Sequence, residues 1–93
     1  MSLTEFVESD GQSYRGALRA LWLAGRGEWE DAHEIAQSED SADGAWVHAY
    51  LHRVEGDPGN ANYWYRRAHR PAQSGELEAE WETIVVELLE RPS

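Results

Sequence analysis

The sequence predicts an all-α domain: two antiparallel helical hairpins followed by a C-terminal capping helix. Three observations carry that prediction. Apolar residues recur at steps of three and four, and no stretch alternates with the period of two that a strand needs. A turn signature occurs twice: Gly27-Glu28-Trp29-Glu30-Asp31-Ala32 returns 29 residues later as Gly56-Asp57-Pro58-Gly59-Asn60-Ala61. Each copy follows an apolar run and precedes an amphipathic one, the pattern of a helix–turn–helix hairpin. The length of 93 residues is that of one domain.

Residues 1–12 form a polar arm carrying Leu3, Phe6 and Val7, with room for a short helix ended by Asp10-Gly11. Hairpin 1 spans residues 13–39. Its first helix, residues 13–24, places Tyr14, Leu18 and Leu21 on one face, and Gly25-Arg26-Gly27 stops it. Its second helix, residues 28–38, has Trp29, Ala32, Ile35 and Ala36 as its stripe. Glu28, Glu30 and Asp31 crowd the first turn, where the helix dipole favours negative charge.

Hairpin 2 spans residues 43–70 and follows an acidic loop in which Ser41 or Asp43 is the N-cap. Its first helix, residues 44–55, carries Trp46, Val47, Tyr50, Leu51 and Val54 on one side, and Gly56 ends it. Asp57-Pro58 reads as an N-cap followed by proline at the first helical position. The helix of residues 58–69 then buries Ala61, Trp64, Tyr65 and Ala68, with Arg66, Arg67 and Arg70 near its cation-favouring end. After a loop at residues 71–75, the helix of residues 76–90 steps through Leu77, Trp81, Ile84 and Leu88. Glutamates cover its other side, as expected of a helix that caps a stack.

Composition narrows the function classes. The chain has 18 acidic and 8 basic residues, a formal charge of −10, and every base is Arg. Such a surface repels phosphate backbones and anionic lipids, so neither nucleic acid nor membrane is expected as a partner. The absence of Cys removes disulfides, thiolate chemistry and zinc–sulfur sites. Residues 1–6 have neither a basic start nor an apolar core of signal-peptide length, and a cytoplasmic location is the expectation. Five Trp, four Tyr and one Phe are many for this length, and most are expected in the core.

Ala49-Tyr50-Leu51-His52-Arg53-Val54-Glu55-Gly56-Asp57, then Asn60-Ala61, then Tyr63-Trp64-Tyr65-Arg66-Arg67-Ala68 resembles a tetratricopeptide or Sel1-like repeat. The resemblance covers residues 17–70. It implies that Ala20 and Ala49 let the second helix of each hairpin approach, that Gly27 and Gly56 end first helices, and that Ala32 and Ala61 begin second ones. The period is 29 residues, against ~34 in tetratricopeptide repeats. Glu39 stands where the first copy would have its closing Ala. The resemblance puts His48 and His52 on core positions, whereas a plain helical wheel puts them opposite Trp46, Tyr50 and Val54. The stretch from Trp29-Glu30-Asp31-Ala32-His33-Glu34 to Tyr65-Arg66-Arg67-Ala68 is also similar to a group of small bacterial and fungal proteins without an assigned activity.

Repeat hairpins bind rather than transform, so the leading expectation is a non-catalytic protein or peptide interaction module. Trp46, His48, Tyr50, His52, Arg53, Tyr63 and Arg66 would line its surface, with aromatics as anchors and Arg as carboxylate partners. Self-association as a homodimer belongs to the same class, and no cofactor is then required. The alternative is a ligand- or metal-binding protein. Four His in 93 residues is an enrichment, and the four-residue spacing of His48 and His52 puts two imidazoles on one helix face. With His33, and Glu55 or Glu34, they would make a divalent transition-metal site. No phosphate-cradling glycine loop, His-Glu-x-x-His motif or serine nucleophile elbow is present, so catalysis is not the expectation.

Overall fold

The computed structural model describes residues 3–90, which fold into six α-helices with no strand among them. These are α1 (Leu3–Glu8), α2 (Gly16–Gly25), α3 (Trp29–Ser38), α4 (Ala42–Val54), α5 (Pro58–Ala68) and α6 (Leu77–Glu90). The all-α prediction holds. Residues 1–2 of the predicted arm, and residues 91–93 of the predicted domain, lie outside the described residues.

Both hairpins turn through one motif. After α2, the Gly27 N–H donates to the Ala24 carbonyl and the Glu28 N–H to the Leu23 carbonyl, each at 3.0 Å. After α4, Gly56 and Asp57 repeat the pair, donating to Arg53 at 3.0 Å and His52 at 2.9 Å. This crossed pair satisfies the last carbonyls of a helix, and it requires a left-handed residue at its apex. Gly27 (φ 80°) and Gly56 (φ 85°) supply that conformation without the steric cost a Cβ would bring.

Two boundaries differ from the sequence reading by more than one residue. Helix α2 begins at Gly16 rather than residue 13, because the positive φ of Gly16 (58°) breaks the helical path ahead of it. Tyr14 therefore reaches the core from a turn, its ring 4.7 Å from that of Phe6 on α1. Helix α4 begins at Ala42, because the Ser41 hydroxyl accepts from the Gly44 N–H at 3.0 Å. At α5 the Asp57 carboxylate accepts from the Asn60 N–H at 3.2 Å, and Pro58 occupies the first turn.

Helix α4 is the axis of the domain, packed against α2, α3, α5 and α6. Every residue from Gly44 to His52 is buried. The two registers that sequence reasoning set against each other are thus both realised: the Trp46/Tyr50 side and the His48/His52 side each face another helix. Helix α6 lies on α2 and α4, burying Ile84, Val85 and Leu88. Each such side chain contributes about 1.5–3 kcal/mol by leaving water. The Trp81 indole N–H fastens α6 to α2 by donating to the Leu21 carbonyl at 2.8 Å. Among the described residues no helix is long and apolar enough to cross a membrane.

Candidate metal centre

Three of the four histidines meet where the hairpins join. His33 comes from α3, and His48 and His52 come from successive turns of α4. One ring nitrogen of each lies within 4.8 Å of a ring nitrogen of the other two. Small residues are buried on both helices, Ala32 and Ala36 on α3 and Ala45 and Ala49 on α4. Interaxial distance shrinks with the side chains at a helix contact. Trp29, one turn before His33, locks the pairing by donating its indole N–H to the Leu51 carbonyl at 2.8 Å.

The rings are arranged in two stacks. Trp29 covers His33 (centroids 4.7 Å apart, planes at 10°), while Trp64, His48 and His52 form the second stack, with centroid separations of 3.9 and 4.8 Å. The stacks meet nearly at right angles: His33 stands at 82° to His48 and 76° to His52. His33 Nε2 and His48 Nε2 are 2.9 Å apart. His52 Nδ1 is hydrogen-bonded to Glu55 Oε1.

Burial favours the uncharged form of His33 and His48. Desolvation first, and then the neighbouring His33 and His52, lower the His48 pKa to about 4. Desolvation and then His52 also lower that of His33, against an opposing pull from Glu55. Neutral imidazole is the form that ligates metals. The His33–His48 contact needs one proton between the two nitrogens. His48 Nδ1 is buried without a hydrogen-bond partner. A bare Nδ1 on His48, with the proton on Nε2 donated to His33, avoids burying an unsatisfied N–H.

The donor set fits a transition-metal ion. All three ligating groups are imidazoles, and one has the carboxylate partner that commonly backs a metal-binding His. Tetrahedral ligation with metal–nitrogen bonds of about 2.0–2.1 Å places nitrogens roughly 3.3 Å apart. The Nε2 atoms of His33 and His48 are already close to that spacing, and ligation through both requires the shared proton to move to His48 Nδ1. The near-parallel stacking of His48 on His52 requires a side-chain rotation before both can face one ion. The second approach of carboxylates to His52, from Glu55 and Asp57, is exposed.

The remaining residues assigned to a binding surface are scattered. Trp46 and Tyr50 are only 5% and 7% exposed, and His48 and His52 are also buried, so these four do not line an outer surface. The physical reason is that α6 folds back over the side of α4 that carries Trp46, while α3 and α5 bring His33 and Trp64 against His48 and His52. Arg53 and Trp46 line a cleft of about 250 Å³ between α4 and α6, with Arg70, Gly75, Glu80 and Glu87. Arg53 does pair with a carboxylate, but an internal one: it donates to Glu80, and to the Gly75 carbonyl at 2.6 Å. The buried Glu80 also accepts from the Tyr65 hydroxyl. Arg70 lies 3.8 Å over the Trp46 ring and pairs with Glu87. Only Tyr63 and Arg66 are exposed, on the outer face of α5. Glu34 is exposed and has no place in the histidine group, whereas Glu55 does border it. The tryptophan stacks on His33 and His48 have no signal in the sequence beyond the i,i+4 spacing of Trp29 and His33.

Comparison with known proteins finds no matching family model, no matching curated protein and no matching solved structure.

Proposed function

We propose that this protein binds a divalent transition-metal ion through His33, His48 and His52. The observation that supports the reading is the convergence of three imidazoles, drawn from both hairpins, with ring nitrogens within 4.8 Å of one another. Imidazole ligands without thiolate suit zinc, copper(II) or nickel(II). Such an ion would supply a link between α3 and α4, so binding would brace the junction of the hairpins. The role is binding rather than catalysis. Mass spectrometry under native conditions on tag-free protein, with and without a chelator, tests it. One chelator-sensitive metal per chain is the expected result. A metal-free spectrum after incubation with zinc, copper(II) and nickel(II) would sink the reading.

A second reading is favoured by one observation. Tyr63 is 44% exposed and is flanked by Arg67, which donates to its hydroxyl at 3.1 Å. Aromatic and Arg side chains together are typical interface anchors. The outer face of α5 would then hold a protein or peptide segment, a second copy of the chain included, and the matched hairpin turns accord with a Sel1-like repeat pair. A folded Tyr63→Ala/Arg66→Ala variant that captures partners undiminished in a pull-down removes this surface.

A further inference from the structure

We infer that Glu55 is a positioning residue of the metal centre, holding His52 in the tautomer that leaves Nε2 free for His33 and His48; this rests on the metal reading above. An imidazole has two neutral tautomers of similar energy, and the group bonded to one nitrogen decides which nitrogen keeps a lone pair. A carboxylate only accepts. In the neutral imidazole, the form that ligates a metal, the contact between Glu55 Oε1 and His52 Nδ1 therefore places the proton on Nδ1 and bares Nε2.

The backbone holds the two residues in register. Glu55 is the C-cap of α4, in right-handed helical conformation at φ −81° and ψ −2°, one turn beyond His52. The carbonyl of His52 itself accepts from the Asp57 N–H in the hairpin turn, at 2.9 Å. The same turn that ends the helix thus fixes both ends of the His52–Glu55 pair. Asp57 is the other carboxylate within reach of His52. It is committed elsewhere, accepting from the Asn60 N–H as the N-cap of α5. His48 gives the contrast, since its Nδ1 has no partner at all. Of the two α4 imidazoles, His52 is the one set in advance.

The test uses tag-free full-length protein, zinc as the probe and two variants. Glu55→Gln keeps size and hydrogen bonding but offers an amide in place of a carboxylate. Asp57→Asn removes the same charge nearby while remaining a good N-cap. Nitrogen-15 NMR of the metal-free protein is expected to show His52 protonated at Nδ1, and a tautomer mixture in Glu55→Gln. Competition with a chromogenic chelator is expected to show zinc binding about 10–100-fold weaker in Glu55→Gln, the usual cost of losing such a partner, and near wild type in Asp57→Asn. An Nε2-protonated His52 in the wild type, zinc affinity unchanged in Glu55→Gln, or equal losses in both variants would each overturn the positioning role while leaving the three-histidine site standing. Failure of the wild type to bind zinc would instead bring down the metal reading itself.

Discussion

His33 Nε2 lies 2.9 Å from His48 Nε2 across the junction of the two hairpins. This contact ties α3 to α4 through a pair of groups that share one proton. The junction is consequently sensitive to whatever occupies those lone pairs. A metal ion would strengthen it, and added protons would weaken it.

Zinc is expected to stabilise the wild-type protein. A ligand at one hundred times its dissociation constant adds about 2.7 kcal/mol, which for a domain of this size raises the thermal midpoint by roughly 10–20 °C. Differential scanning calorimetry of chelator-treated protein, with and without added zinc, measures the shift. His33→Ala removes the α3 ligand and should abolish it while leaving the helical circular dichroism in place. A His33→Ala protein that still gains the full shift would place zinc elsewhere.

Acidification should destabilise the metal-free protein. The His48 pKa is lowered from the ordinary 6.5 to about 4 by burial first and then by His33 and His52. Its ring faces His33 from α3, His52 from α4 and the uncharged Trp64 from α5. Between those two pH values the unfolded chain binds a proton at this position and the folded chain does not. Stability is therefore full above about pH 6.5 and falls as the pH drops toward 4, by on the order of 3 kcal/mol. Urea unfolding at a series of pH values in chelator buffer gives the slope, and His48→Phe should flatten it. An unchanged slope in a folded His48→Phe protein would assign the acid sensitivity to other groups.

The sequence made the chain-local parts of this site readable. Gly27 and Gly56 announce the turns because only a residue tolerant of positive φ closes them. His48 and His52 announce a shared face because four residues is about one helical turn. Whether His33 joins them depends on how α3 crosses α4, a non-local property held in part by the Trp29–Leu51 bond. The misplacement of Trp46 and Tyr50 has the same origin. A helical wheel sorts residues by face and is silent on how many neighbours a helix has. Helix α4 has four.

Arg53→Ala is expected to cost about 3–5 kcal/mol, since it strips a buried carboxylate of its ion-pair partner. The Arg53 and Glu80 side chains are only 13% and 6% exposed. The pair is further tied to Tyr65, whose hydroxyl pKa is raised by burial and by its bond to Glu80. Replacing both ends, Arg53→Met with Glu80→Met, should recover much of the loss, because the penalty lies in an unpaired charge rather than a missing attraction. Chemical denaturation of the two variants checks the order. A double variant less stable than Arg53→Ala would mean the network contributes more than its desolvation costs.

The end of α5 offers a stabilising substitution. There His69 occupies the place that Gly27 and Gly56 hold at the other turns, with φ 59° and ψ 40°. Its N–H donates to the Arg66 carbonyl at 3.1 Å, and the next N–H, of Arg70, donates to Tyr65 at 3.0 Å, the same crossed pair. A side chain in the left-handed region costs about 1–2 kcal/mol, and His69 is exposed, with little burial to offset that strain. His69→Gly relieves it, less what the unfolded chain gains in freedom from a new glycine. The net expectation is about 1 kcal/mol of added stability, read as a higher urea midpoint at unchanged slope. Because His69 is not part of the histidine group, zinc affinity should stay the same. A lower midpoint would mean that the His69 side chain makes a contribution larger than the strain of its backbone.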